Sequence, residues 1–159
     1  MKNTIKKLTL FALVAFSFTA CNDRNRTPEN SNLQFSSAKS EFFGDPARKS
    51  IDFYDLYLYD RDLTSNPNGD GLFIYLQLNT GTTNENEIVS GTYNVNNSSQ
   101  ANKFTFDPGA WRTDSQGDYL VGSYVGKYKG SQTLKYPITN GKFTVSRNGN
   151  YYNVSGAIV

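Results

Sequence analysis

Oxygen-bearing side chains recur at alternate positions in Asp60-Arg61-Asp62 and again in Asn66-Pro67-Asn68-Gly69-Asp70-Gly71. Carboxylate and amide oxygens with this spacing, followed by glycine, are what a calcium ion takes. Counted from Asn66, the series matches the start of an EF-hand loop. The place of the closing bidentate glutamate, however, is filled by Gln77, which lies in a strand-like run. The stretch therefore has two readings. One is a polar loop joining two strands; the other is a weak calcium site built from Asp60, Asp62, Asn68 and Asp70.

Two other chemistries are open to these residue types. Asp52, Asp55, Asp60 and Asp62 could supply the paired carboxylates of glycoside hydrolysis, which must stand roughly 5–9.5 Å apart. Their spacing equally describes a solvated strand face, so no catalytic residue is assigned and the chain is read as a non-enzyme. The chain has no histidine, which removes Ser-His-Asp and Cys-His catalysis and the usual zinc sites together. Aromatic rings flanked by Asp, Asn and Arg can instead bind sugars, because a ring offers an apolar face and, in tyrosine, a polar tip. Trp111, between Pro108-Gly109 and Arg112-Thr113-Asp114, has that company on an expected loop, and Tyr54, Tyr57, Tyr59 and Tyr119 could extend such a site. Against this, a lone tryptophan also serves as a core plug, and strand tyrosines also pack across strands. The lysines Lys127, Lys129, Lys135 and Lys142 read as a solvated face before a polyanion site.

The remaining chemical group is Cys21, the only cysteine. It ends an apolar run, Leu8 to Ala20, that follows Lys2, Lys6 and Lys7. A basic stretch before a short apolar one is a secretory signal. The run is too short for a spanning helix, which needs about 20 apolar residues. Phe18-Thr19-Ala20-Cys21 resembles a bacterial lipobox: a large apolar residue, a polar or small one, a small one, then cysteine. The resemblance implies cleavage before Cys21 and acyl chains, palmitate among them, on the new terminus. The division expected is 1–20 as a signal helix, 21–32 as lipidated cysteine and tether, and 33–159 as the folded domain. A single cysteine also excludes an intrachain disulfide.

Without residues 1–20 the chain keeps 139 residues and a net charge of −1, because Lys2, Lys6 and Lys7 leave with the signal. Overall charge thus gives no argument for nucleic acid. It is uneven, though: residues 22–100 carry −5 and residues 101–159 carry +4. Opposite faces that pair within the fold are one source of such asymmetry, and a partner-binding patch is another.

The elements that must position these groups are strands. Eleven Tyr and eleven Phe among Gly, Asn, Ser and Thr form a β-sheet and turn composition. Asn22 to Asn32 has no core-forming residue and reads as tether. Leu33 to Phe43 opens the domain. Ile51 to Asp60 is strand-like with neither face clean, which suggests two covered faces or a bulge. Leu72 to Asn79 alternates well. Further strands are expected at Ile88–Val95, Lys103–Phe106, Asp118–Gly126 and Ser131–Tyr136. Asn140-Gly141 and Asn148-Gly149 are type I′ hairpin signals, predicting a three-stranded meander from Leu134 to the end with Phe143, Val145, Tyr152, Val154 and Ile158 inward. The sum is an all-β domain, an antiparallel β-sandwich or open barrel.

Several segments in this order resemble a recurring module of Bacteroidetes-type lipoproteins: Ala38 to Asp45, Phe53 to Asp60, Ile88 to Tyr93, Ile138 to Arg147, and Asn150 to Val154. The resemblance implies an all-β, envelope-exposed domain of unsettled activity, anchored at the outer membrane by lipid with its face left open. Relatives generally carry one more hairpin beyond the Tyr152 strand, so an open sheet edge or a short variant is implied here. The expected role is a non-catalytic binding or structural surface component, with glycans or other envelope proteins as partners. A carbohydrate-binding lipoprotein of a glycan-uptake system is the alternative, and a glycoside-active enzyme stands behind it.

Overall fold

The structure, a computed structural model, describes residues 12–17, 30–35, 37–45, 50–60, 70–82, 87–129, 132–148 and 151–159. Among these every regular element is a strand, and most belong to one nine-stranded, curled open sheet, a half-barrel. The expectation of an all-β fold holds, in its open-barrel form.

The first elements are β1 (Ala12–Ser17) and β2 (Asn30–Phe35), an antiparallel pair with Ala12 opposite Phe35. The signal stretch expected as helix is thus a strand over Ala12–Ser17. A helix of this length is marginal in water, whereas a neighbouring strand satisfies the backbone of an apolar, Val- and Phe-bearing run in a ladder. Strand β2 also starts at Asn30, within the segment expected as tether.

The main sheet is organised about β5 (Gly71–Gly81), the longest strand. On one side its residues Phe73–Gly81 pair with the whole of β4 (Ile51–Tyr59), which in turn pairs with β3 (Ser37–Gly44). The other side is split. Gly71–Tyr75 pairs with β10 (Tyr124–Lys129), and beyond it lies β11 (Gln132–Pro137). Leu78 and Asn79 pair with β7 (Thr105–Phe106), which leads through β6 (Gly91–Val95) to β12 (Gly141–Asn148) and β13 (Tyr151–Ile158). Where the two branches part, Gln77 is satisfied from both: its carbonyl accepts the Asp107 N–H at 2.9 Å and its N–H donates to Ser123 Oγ at 3.1 Å. A split sheet leaves no backbone group idle there.

The impure alternation of β4 is resolved by its two faces. Tyr54, Leu56 and Leu58 join Ile74, Leu76 and Leu78 of β5 in the core, with Tyr93, Phe106, Phe143, Val145, Val154 and Ile158 from the other branch. Phe53, Asp55, Tyr57 and Tyr59 of β4 face the other way and are half-buried. The irregularity falls on β3, between Phe42 and Gly44, and not on β4 itself.

Two expectations need correction. Asp118–Gly126 is not one strand. It is β9 (Gly117–Val121), paired with β8 (Ala110–Asp114) in a separate hairpin, then a corner at Gly122–Ser123, then β10. Gly122 turns the corner at φ +72°, and a Cβ there would lie 2.0 Å from the Pro108 carbonyl oxygen. The meander fails as well, because β11 pairs with β10 and not with β12. Asn140-Gly141 makes no hairpin turn: the Thr139 and Asn140 N–H groups go to the Val159 carbonyl, and Gly141 faces Ile158. The β12–β13 hairpin does form, with Asn148 opposite Tyr151 and with Phe143, Val145, Val154 and Ile158 buried.

Candidate functional site

Residues directly opposite in adjacent strands share a face, so register alone builds the outer face of the β3–β4–β5–β10–β11 branch. One row reads Lys39, Tyr57, Tyr75, Tyr124; the next reads Ser37, Tyr59, Phe73, Gly126, Lys135. Glu41, Asp55 and Gln77 form a third row on the far side of the first. Beyond the second row, Tyr128 extends the face on β10.

The rings in these rows touch. Centroids are 4.8 Å apart for Tyr57–Tyr75, 4.9 Å for Tyr75–Tyr124, 6.1 Å for Tyr59–Phe73 and 5.1 Å for Phe73–Tyr128. Tyr57 and Tyr59 stand almost parallel, 6° between planes. These are the tilted and offset arrangements that aromatic quadrupoles favour. Phe73 fits because Gly126 opposes it, since a Cβ on Gly126 would sit 1.9 Å from the Phe73 ring. An aromatic ring covering a cross-strand glycine replaces the missing side chain and holds the register.

The polar atoms of the face are ordered in a chain. Gln77 Nε2 donates to Tyr75 Oη at 2.9 Å, and Tyr75 is hydrogen-bonded to Asp55 in turn. Burial pushes the Asp55 carboxyl up, partly offset by that hydrogen bond, and Glu41 across the strand raises it further. Burial also pushes Tyr57 up to about 12, with Asp55 adding to it, and raises Tyr59, Tyr75 and Tyr124. Lys39 Nζ lies 5.9 Å from the Tyr57 centroid and Lys135 Nζ lies 4.9 Å from that of Tyr124, both within cation–π range.

Raised tyrosines have a consequence in base. Tyr93, in the core, is likewise pushed up to about 12 by burial, its Oη 2.7 Å from Thr80 Oγ1 and from the Val89 carbonyl. In the unfolded chain these phenols ionise near pH 10. A proton held more tightly by the folded state makes stability fall as pH rises through the window between the two values. The contribution of these tyrosines to stability is therefore expected to be flat below pH 10 and to decline from there towards 12. The tyrosinate absorbance that is lost in Tyr57→Phe and Tyr93→Phe variants should belong to the late part of the rise and appear together with loss of the fold. Absorbance from these two groups rising near pH 10 in a folded protein would contradict this.

The expected site residues divide. Tyr57 and Tyr59 belong to the aromatic face. Tyr54 does not: it is 3 % exposed and faces the core, its ring 5.1 Å from Phe42. Trp111 lies on strand β8, not on a loop, and at 54 % exposure it plugs no core. Its cross-strand partner is Leu120, while Tyr119 opposes Arg112. Trp111 and Tyr119 therefore point to opposite sides of their hairpin and form no common platform. That hairpin is rooted beside the face, where the Gly109 N–H donates to Ile138 O and Ser123 N–H to Asp107 O. Sequence reading missed Tyr75, Tyr124 and Tyr128. Their alternation was legible, but which strands lie side by side was not.

The carboxylate candidates divide too. Asp52 is 2 % exposed and faces the core side of β4, whereas Asp55 faces the aromatic side. They do not form a pair across one bond. Asp60 binds the backbone of its own loop, Oδ2 accepting the Leu72 N–H at 2.8 Å and its N–H donating to Leu72 O. Asp70 is exposed, and Asp62 and Asn68 lie outside the described residues. Among the described residues no group of three or more His, Cys, Asp or Glu could hold a metal. Cys21 also lies outside them. Of the four lysines, Lys127 opposes Leu72 and Leu134 on the reverse face from Lys135, so they form no single patch. Compared with protein-family models, curated proteins and solved structures, the chain matches none.

Proposed function

We propose that this chain is a lipid-anchored protein of the bacterial envelope, held at the outer membrane through Cys21, which binds carbohydrate without altering it. The observation that carries the binding half is the aromatic face: half-buried Tyr57 and Tyr59 on β4 and Tyr124 and Tyr128 on β10, flanking the buried Tyr75 and Phe73 of β5 and edged by Asp55, Gln77, Lys39 and Lys135. Sugar rings present apolar C–H faces and a rim of hydroxyls. Tyrosine meets both, a ring for the face and a hydroxyl for the rim. The rings pack against one another on paired strands, so they are positioned before a ligand arrives and little ordering entropy is lost. The signal and lipobox, Lys2 to Cys21, carry the anchoring half.

A thermal-shift and calorimetric screen against soluble glycans tests the binding half. A ligand at 100 times its Kd adds about 2.7 kcal/mol to stability, so a binder is visible. Tyr57→Ala combined with Tyr124→Ala is expected to weaken that binder about tenfold or more, two stacked rings at roughly 0.5–1.5 kcal/mol each. Trp111→Ala is expected to leave it unchanged. A screen without any binder would remove carbohydrate from the reading and leave a structural surface component; a binder lost through Trp111 and indifferent to the tyrosines would remove this face as the site.

A further inference from the structure

We infer that the aromatic face takes an acidic glycan in one orientation, with its carboxylate or sulfate at Lys135 and its neutral hydroxyls at Glu41 and Asp55. This rests on the carbohydrate reading above and adds to it a ligand class and a direction.

The two lysines of the face are not equivalent. Lys39 Nζ is 4.0 Å from Glu41 Oε2, so its charge is already engaged by a neighbour on its own strand. Lys135 is exposed, on the far strand β11, and its cross-strand partner is Gly126, which has no side chain to answer it. Its ammonium rests over the Tyr124 ring instead. A cation over a ring at the end of a stacking surface is placed to meet an anionic substituent on a sugar stacked there.

The opposite end has the opposite character. Glu41 and Asp55 stand directly across from each other on β3 and β4. Like charges in that position work against the sheet, and Glu41 adds to the rise that burial already gives the Asp55 carboxyl. Asp55 takes the Tyr75 hydroxyl and Glu41 lies beside Lys39, and each carboxylate has further lone pairs for ligand hydroxyls. The same pair repels a second anion. By register, then, the outer face runs from net acidic at β3–β4, through tyrosine, to basic at β11. The uneven charge of the two halves of the sequence meets on this surface.

The test uses matched probes. The full chain, purified in mild detergent, is titrated with tetragalacturonate and with its methyl ester, which keeps the backbone and loses the charge. Chondroitin sulfate tetrasaccharide and its desulfated form separate sulfate from carboxylate. One partly exposed ion pair predicts about a two- to fivefold preference for the charged member of a pair at low salt. The preference should vanish in 1 M salt, where the screening length is about 3 Å. Lys135→Gln should erase the preference and Lys135→Arg should keep it, whereas Lys142→Gln, on β12 of the other branch, should leave it intact. Charged and neutral probes binding equally, or a preference that survives Lys135→Gln, would overturn the orientation and leave carbohydrate binding standing. If no probe binds while another glycan of the screen does, the acidic-glycan reading falls alone; if no glycan binds at all, both readings fall.

Discussion

Replacing Cys21 with serine is expected to release the protein from lipid entirely. Labelled palmitate should follow the unaltered chain and not the variant, and the variant should persist as the uncleaved form, larger by residues 1–20. The magnitude comes from the number of chains. Each buried methylene contributes about 0.8 kcal/mol, one acyl chain binds a bilayer only marginally, and two or more hold it stably. A hydroxyl in place of the thiol offers no thioether to carry the glyceride, so the loss is complete and not graded. Among the described residues no helix is long and apolar enough to cross a membrane. Palmitate label that follows Cys21→Ser as well as the unaltered chain would overturn the anchor.

The second large effect is expected at Phe106. Replacing it with alanine should destabilise the fold by about 3–5 kcal/mol, the usual cost of deleting a fully buried phenylalanine. Phe106 is 0 % exposed. It stands where the sheet parts, its backbone opposite Leu78 of β5 and beside Val95 of β6, and its ring 5.4 Å from Phe143. One side chain thus joins both branches of the core. Urea unfolding should show a lower midpoint, and Phe106→Leu should recover most of it. A midpoint shift under about 1 kcal/mol in the alanine variant would mean that the branches hold together without this ring.

How far such positions could be read beforehand depended on the range of the interaction. The alternation of Leu72 to Asn79 and of Phe143 and Val145 was visible because a strand's period of two is local. The β12–β13 hairpin was visible for the same reason, a turn being a matter of adjacent residues. The false meander at Asn140-Gly141 shows the limit. The dipeptide has turn chemistry, but the preceding strand had already found β10 as its partner. Tertiary pairing then overrides the local signal.

The candidate site followed the same division. Tyr57 and Tyr59 were legible as strand aromatics, but their face was not, since Ile51 to Tyr59 is apolar on both sides. Tyr54 and Trp111 exchanged the roles their types suggested: the tyrosine went into the core and the tryptophan to the surface. A one-residue change of register inverts every such assignment.

By itself the sequence determined the class of fold, the alternation of its best strands, the near-neutral charge of residues 21–159, and the basic-then-apolar run ending at Cys21 on which the proposed lipid anchor rests. These are sums or short-range patterns, and sums and short-range patterns do not need the third dimension. Only the tertiary structure decided that β5 is flanked by β4 and by β10. That adjacency brings Tyr57, Tyr75 and Tyr124 into one row, although they are far apart along the chain. Strand partners are chosen by burial of the whole core at once, and that choice has no local signature.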